Sequence, residues 1–501
     1  MYLDYDAYAR QSRFRADVVV VGTGAGGAAA GAELAARGFD VLFVEEGSHT
    51  PTSSFNPFAR ESVPRLYRDA GATVMLGRPV IPFVEGRCVG GSTVVNGGMA
   101  YRAPDRILAE WQKQGLTELG PEGLDPLFAE VEEIVHAGPQ LELSVGEDSR
   151  IMTEGARRLG YRYAVNQRNQ EACVGSNNCT LGCPTGAKQS TLVSYLPRAF
   201  ARGARCLTEL RAQELIVQNG RCVGLRCRAI NPRTRRADRV VEIEARAVVL
   251  ACGAIQTPHL LQSQRSARKS AELGKNLTCH PNSKVIAIYP FDVQAWKGVS
   301  QNTQVKEFED EGLVFAENFV PPSVLAAYLP LLGDSVWSYM QRYNQMIVSG
   351  VLMEDSTTGR VRRRFGVPEV RYDITASDHL RMLRGIRLLG ELHFAMGAEE
   401  LLLPLEDAPS ARSVDELHDI TERHSNRTAL ELFTVHLMGT ARMGASPQNS
   451  VVDGRGQLWD LPGCYVADAS LLPTALGVNP QLTIMALATH VARHLDLPLA
   501  A

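Results

Sequence analysis

Neither sign of charge prevails in this sequence. Its formal net charge at pH 7 is -3 and 21% of its residues are charged, so it has no basic excess to hold a phosphate backbone, and nucleic acid is not an expected partner. Long apolar runs are missing as well. The most apolar loop-like stretch, residues 319–333, is interrupted by Pro321, Pro322 and Pro330 and is too short and too broken to span a bilayer. The opening residues show no basic stretch followed by an uncharged apolar core, so no secretory leader is read and the cytoplasm is the expected compartment. In that setting the ten cysteines do not suggest a disulfide framework; free thiols or a metal site are expected instead. No internal repeat or low-complexity tract is visible.

What is present is chain enough for a large buried cofactor. At 501 residues, 45% of them hydrophobic, the sequence is too long for one ordinary core, and two lobes are expected. Asp17-Val18-Val19-Val20-Val21 reads as a short buried strand that runs into Gly22-Thr23-Gly24-Ala25-Gly26-Gly27 and an alanine-rich helix. Val41-Leu42-Phe43-Val44 is a second strand ending at Glu45, which completes a parallel βαβ unit. A third buried strand is expected at Ala247-Val248-Val249-Leu250-Ala251, followed by Cys252-Gly253-Ala254. Residues 103–194 and 281–430 have another texture, richer in charged helices, prolines and alternating strands, and are assigned to a substrate-side lobe. Within them, residues 378–396 repeat leucine and methionine at helical spacing opposite arginines, the pattern of an amphipathic surface helix.

Gly22, Gly24 and Gly27 form G-x-G-x-x-G. The first glycine permits the tight turn, the second lets backbone approach a pyrophosphate, and the third allows close helix packing, with the phosphates on a helix N-terminus. Glu45 follows at the end of the second strand, where a carboxylate can accept hydrogen bonds from both ribose hydroxyls. Glu46, one residue past the strand, is expected to be solvated. The motif by itself does not separate NAD from FAD.

Further motifs carry a resemblance. Gly86-Arg87-Cys88-Val89-Gly90-Gly91-Ser92-Thr93-Val94-Val95-Asn96-Gly97-Gly98, His436-Leu437-Met438-Gly439-Thr440-Ala441-Arg442-Met443-Gly444 and Gly477-Val478-Asn479-Pro480-Gln481-Leu482-Thr483 resemble the signatures of the glucose-methanol-choline (GMC) oxidoreductases, along nearly the whole length. The resemblance implies an α/β fold, a Rossmann-like FAD-binding domain with a parallel sheet plus an α+β substrate lobe, and FAD as cofactor. It implies that His436 accepts the hydroxyl proton of an alcohol and Asn479 hydrogen-bonds the substrate oxygen, while the flavin takes the hydride. Leu437 stands where the family usually has proline. The cofactor contacts expected from motif and resemblance together are Gly22, Gly24, Gly27, Glu45, Gly91, Ser92, Asn96, Gly98, Ala251, Gly253, Asp468, Ala469, Pro480, Gln481 and Thr483. Asp468 also reads as an N-cap. His280, in a segment resembling one near the cofactor, and His490, on the final helix, are weaker rivals to His436. The lobes divide as residues 1–102, 195–280 and 431–501 for the FAD-binding domain, 103–194 for a cap with a cysteine-containing loop, and 281–430 for the substrate lobe.

Cys173, Cys179 and Cys183 fall within eleven residues. Three thiolates can hold a three-iron cluster or part of a zinc site. Their spacing resembles both cluster-bearing bacterial sugar dehydrogenases of the family and the cysteine-containing loop of long-chain alcohol oxidases, where no cluster is expected. Packed thiols are the expected state and no metal is assigned. In texture the chain is nearest the bacterial long-chain alcohol oxidases, which implies a hydrophobic alcohol as substrate. Oxygen, an electron-acceptor protein or a quinone would then reoxidise the flavin. Residues 319–337 are expected to line a greasy access path or to make peripheral membrane contact. A sugar or aminosugar hydroxyl is the polar alternative, with Glu309, Asp310 and Glu317 as unplaced acids to dock a cation, and a flavin-retaining lyase is the non-redox one.

Overall fold

The computed structural model describes residues 1–267, 269–299, 301–329 and 331–497. Pro330 and the last four residues of the 431–501 segment lie outside the described residues. Arg13–Val21 is the central strand expected from its valine run, with Val18, Val19 and Val20 fully buried. It is flanked in parallel by Val41–Val44 and by the long strand Ala237–Leu250, which ends one residue before Ala251. Arg205–Leu207 and Tyr2–Leu3 extend the parallel sheet outward from Val41–Val44. On the edge away from Arg13–Val21, Ala237–Leu250 serves two partners. Its first half pairs antiparallel with Arg221–Ile230, itself in a hairpin with Leu210–Gln218, and its last residues take Cys464–Val466 in parallel.

Helix Ala25–Ala36 packs against Tyr195–Ala201 and Gln481–His494. It can lie close to the sheet and to these helices because the turn it buries between them is Ala28, Ala29, Ala30 and Gly31. A Cβ at Gly31 would stand 2.2 Å from the Phe43 ring. Small residues substitute for a hydrophobic stripe here.

The second lobe is built on an antiparallel sheet. Its order is Ser410–Ala411, Glu400–Leu402, Asn282–Ile288, Met346–Met353, Leu313–Asn318, Thr303–Val305 and Tyr163–Val165, so the 103–194 segment lends an edge strand to it. One face is covered by helix Ala376–Ala395, whose start is capped by Thr375 accepting from the Asp378 amide. Its stripe Met382, Leu383, Ile386, Leu389 and Leu392 is fully buried, while Leu380 is exposed; truncating a leucine in such a stripe costs about 2–5 kcal/mol. The opposite face of this sheet looks toward the first lobe. The expected parallel FAD-type sheet with a second α+β lobe is what the chain forms.

Residues 319–333 differ from the loop expected of them. Pro321 and Pro322 do not break structure but begin one: Pro322 occupies the first turn of helix Pro322–Tyr328, where its missing N–H costs nothing. No helix among the described residues is long and apolar enough to cross a membrane.

Candidate active site

One cavity of about 1260 Å³ runs between the lobes. Its first half is a glycine-walled cradle. Gly22 turns at φ 103°, and a Cβ there would meet the Ala251 carbonyl oxygen at 2.2 Å; at Gly27 it would meet the Gly22 oxygen at 2.1 Å. Gly24 is different: a Cβ would touch only the Gly91 Cα, at 3.9 Å, so the space above it stays open to the cavity. Gly24 is also the N-cap of Ala25–Ala36 and gives that helix no side-chain cap, so the first amides are left for an anion. Gly26, which the motif reading passed over, touches more closely than Gly22, Gly24 or Gly27, with a Cβ 1.8 Å from the Ala467 oxygen.

Glu45 lies at the cradle wall, buried. Its carboxylate accepts from the Thr23 amide at 3.1 Å, the Thr23 hydroxyl at 2.7 Å and the Gly47 amide at 2.9 Å. Burial raises its pKa despite these bonds. Glu46 is not solvated as expected. Its side chain is 14% exposed, paired with Arg68 at 3.1 Å and with Arg211 at 2.5 Å. Burial would raise its pKa, but the two guanidiniums outweigh that and hold it at about 2.

Gly91 (φ 52°) opens the short turn Ser92–Val95, and Gly91, Ser92, Asn96 and Gly98 all line the cavity. The Ser92 hydroxyl accepts from the Gly86 amide at 3.0 Å. Asn96 donates to Gln481, whose residue starts the helix Gln481–His494 behind Pro480. Asn96 Oδ1 and Gln481 Nε2 are buried with no partner among the described residues, polar atoms that a ligand can satisfy. Ala251, Gly253, Asp468, Ala469 and Pro480 line the same half. Asp468 is both wall and cap: it accepts from the Gly253 amide (2.9 Å), the Thr257 hydroxyl (2.5 Å), and the Ser470 amide (2.8 Å) and hydroxyl (2.5 Å). Gly27 and Thr483 stand off the cavity, Gly27 in the helix contact and Thr483 fully buried on the last helix.

At the junction of the halves, His436 Nε2 and Asn479 Nδ2 are 3.2 Å apart, both at the cavity wall. Burial, helped by the nearby Lys284 ammonium, lowers the His436 pKa to about 4, so the imidazole is neutral at pH 7. Leu437, in place of the family's proline, is buried, and the His436 amide is held by the Thr434 hydroxyl at 3.2 Å. His280 stands edge to face with His436 at 5.4 Å. Its Nε2 accepts from the Leu476 and Gly477 amides at 3.1 and 3.0 Å, which fixes the loop leading to Asn479. With its lone pair so used and burial holding its pKa well below the usual range, His280 positions the site. His490 is remote from it, bonded to the Gly454 carbonyl.

The cysteine loop abuts the cradle without gathering its sulfurs. Cys183 Sγ accepts from the Lys188 amide at 3.4 Å, whereas Cys179 Sγ lies 3.7 Å from the Arg168 guanidinium; the three thiols do not form a ligand group. The residue that sequence reasoning missed is Lys188. Its buried ammonium donates to the carbonyls of Val94 (2.8 Å), Asn96 (2.8 Å) and Cys179 (2.6 Å), tying this loop to the glycine-rich one. Burial lowers its pKa to about 8.

The second half of the cavity is a chamber. Its floor is the free face of the antiparallel sheet, read at every second residue: Asn282, Lys284 and Ile286; Val348, Gly350 and Leu352; Val314, Ala316 and Asn318. Its roof is Phe319, Val320, Pro321, Val324, Leu325 and Tyr328. Glu309 and Asp310 sit in the turn Glu309–Glu311 instead, and Glu317 points into the other side of its strand, accepting from Ser149, Asn302 and Thr303.

The glycine cradle, the uncapped helix start and the two orphaned amide atoms fit a dinucleotide. Known proteins agree with that arrangement. Family models described as GMC oxidoreductase match residues 63–282 and 355–488, and a NAD(P)-binding Rossmann-like domain matches residues 20–78. An uncharacterized GMC-type oxidoreductase of Mycobacterium tuberculosis is 37% identical over 95% of this chain and 75% of its own length. A long-chain-alcohol oxidase of Arabidopsis thaliana is 25% identical over 95% of this chain and 66% of its own, and the 6'''-hydroxyparomomycin C oxidase of Streptomyces lividus 24% over 97% and 92%. Among solved structures, pyridoxine 4-oxidase from Mesorbium loti superposes with a TM-score of 0.73 at 18% identity, covering 96% of this chain and 99% of that one. By family model and by relative, the chain belongs to the GMC oxidoreductases, enzymes acting on CH-OH groups, and its cofactor is FAD.

Proposed function

We propose that the chain oxidises a hydrophobic primary or secondary alcohol to the carbonyl, with His436 as the base. Bound FAD would supply the acceptor for the hydride that leaves the carbinol carbon. Gly22, Gly24, the start of Ala25–Ala36, Asn96 and Gln481 would hold it. The alcohol oxygen inserts between His436 and Asn479, taking over the contact that Asn479 Nδ2 makes with His436 Nε2: its proton passes to the lone pair of neutral His436 Nε2 so released, and Asn479 Nδ2 donates to the oxygen as the C=O bond forms. His280 keeps the Asn479 loop in register by accepting its two amides.

The observation that carries the substrate class is the chamber beyond His436. It is roofed by apolar side chains, and no aspartate or glutamate among the described residues lines it. A cationic aminosugar would lack a counter-charge there, because Glu309, Asp310 and Glu317 face elsewhere. The experiment is anaerobic bleaching of the flavin by 1-decanol, glucose and an aminosugar, in wild type and His436→Ala. Bleaching by the decanol alone, slowed about a hundredfold or more in the variant, is the expected result. Bleaching by the aminosugar in preference would sink the apolar assignment, and a yellow protein bleached by nothing would favour the non-redox reading.

A further inference from the structure

Lys284 belongs neither to the cradle nor to the pair His436 and Asn479. On the chamber floor it lies opposite Gly350, which in turn faces Ala316 on the next strand. The ammonium crosses over that glycine, where a Cβ would stand 2.6 Å from Nζ. It donates to Asn318 Oδ1 and rests 4.9 Å from the centre of the Phe433 ring. No ion pair reaches it among the described residues. The acids on the cavity wall, Glu45, Glu46, Glu85 and Asp468, are all in the cradle half, engaged with their own loops and arginines. Nearby, the Asn282 Oδ1 is buried without a partner among the described residues.

Held by one amide oxygen and a ring face and given no counter-charge among the described residues, the Lys284 amine is desolvated, and burial lowers its pKa to about 7; an anion placed beside it would hold it charged. Gly350 and Ala316 put no bulky side chain of their own on the middle of the floor, so Lys284 Nζ, Asn318 Oδ1 and Asn282 Oδ1 gather over Gly350 as a polar spot on the cavity wall, within reach of a ligand group. We propose that Lys284 is a specificity-determining residue that pairs with a carboxylate of the substrate, so that the alcohol oxidised here is a hydroxy acid with an apolar remainder. This rests on the alcohol-oxidation reading. Lys284 and His436 share one end of the chamber, which puts the carboxylate toward the carbinol and the apolar remainder beneath Pro322–Tyr328.

The test uses the FAD-loaded protein and decanoate as a dead-end probe, with decanamide as its uncharged match and binding read by perturbation of flavin absorbance. Wild type should bind decanoate roughly tenfold or more tightly than decanamide, as close interfacial charge pairs do. The difference should vanish in Lys284→Met and persist in Lys284→Arg. Gly350→Ala, which keeps the lysine but crowds Nζ, should weaken decanoate alone. In flavin reduction, kcat/KM for 3-hydroxydecanoate should exceed that for 1-decanol about tenfold in wild type and equal it in Lys284→Met. Equal affinity for decanoate and decanamide in wild type overturns the proposal, as does a preference that survives Lys284→Met. Lys284-dependent decanoate binding without flavin reduction by any alcohol leaves the carboxylate site standing and removes the oxidation reading. Decanol bleaching that needs His436 but shows no charge preference does the reverse.

Discussion

Around residues 22–27 the cavity wall is backbone, and on the sheet face of Asn282–Ile288 it is side chain. In the cradle, contacts are so close that a single Cβ at Gly22, Gly26 or Gly27 would fall within 2.2 Å of a carbonyl oxygen, and every acid there already has partners. On the chamber floor, the space over Gly350 is taken by the ends of Lys284, Asn318 and Asn282, and polar atoms such as Asn282 Oδ1 and Gln304 Oε1 have no partner among the described residues. The cradle is shaped for one ligand and has little freedom to change. The floor is a surface on which a ligand group completes what the protein leaves open.

The largest expected effect tests the cradle's rigidity. Gly26→Ala should force helix Ala25–Ala36 away from the Ala467 segment, cost about 3 kcal/mol, and yield protein purified without flavin, as read from its absorbance ratio and thermal melt. If that variant kept its flavin and its stability, the contrast between the two halves would fail.

Next, Asp468→Asn should cost about 2 kcal/mol in urea unfolding, because an amide turns a donor toward groups that need an acceptor. A variant as stable as wild type would show that the four bonds to Asp468 matter less than their geometry suggests.

The junction gives a pH test. His436 works as a base only when neutral, and burial lowers its pKa to about 4. The rate of flavin reduction should therefore hold as pH falls from neutrality to about 5 and be lost through about 4; loss near the ordinary histidine value of about 6.5 would mean that the ring is solvated.

The smallest effect sharpens the comparison within the cradle itself. Gly24→Ala meets nothing closer than 3.9 Å and should change stability by about 1 kcal/mol or less, yet weaken FAD binding measurably, since the space it fills is the ligand's.

The same contrast explains what could be read from the sequence. Gly22, Gly24, Gly27 and Glu45 lie within one βαβ unit, so local spacing placed them together, and the strand expected at residues 247–251, which ends at Leu250, followed from its short apolar run. Glu46 was misjudged because its partners Arg68 and Arg211 are far off in the chain and come near only through the fold. Lys188 and Lys284 were missed for the same reason. The acceptors of Lys188 sit in two loops, and Lys284 gains meaning only when cross-strand register sets it over Gly350. A signal did exist: in Asn282–Ile288 the polar residues Asn282 and Lys284 share parity with Ile286, which marks a face that is neither core nor solvent. Residues 319–333 were read as loop because Pro322 suggests breakage until it is seen at a helix start.

The double service of Ala237–Leu250 has a consequence for how the molecule comes together. Its early residues find Arg221–Ile230 next to them in the chain, so that hairpin can form as soon as it is synthesised. Its last residues must wait roughly two hundred positions for Cys464–Val466, a closure of high contact order and correspondingly slow. Until it happens, Val248, Val249 and Leu250 present an open edge, and Asp468 has not yet reached Gly253. The sheet of the second lobe, whose last strand ends at Ala411, is therefore free to form first, and the flavin cradle is finished last.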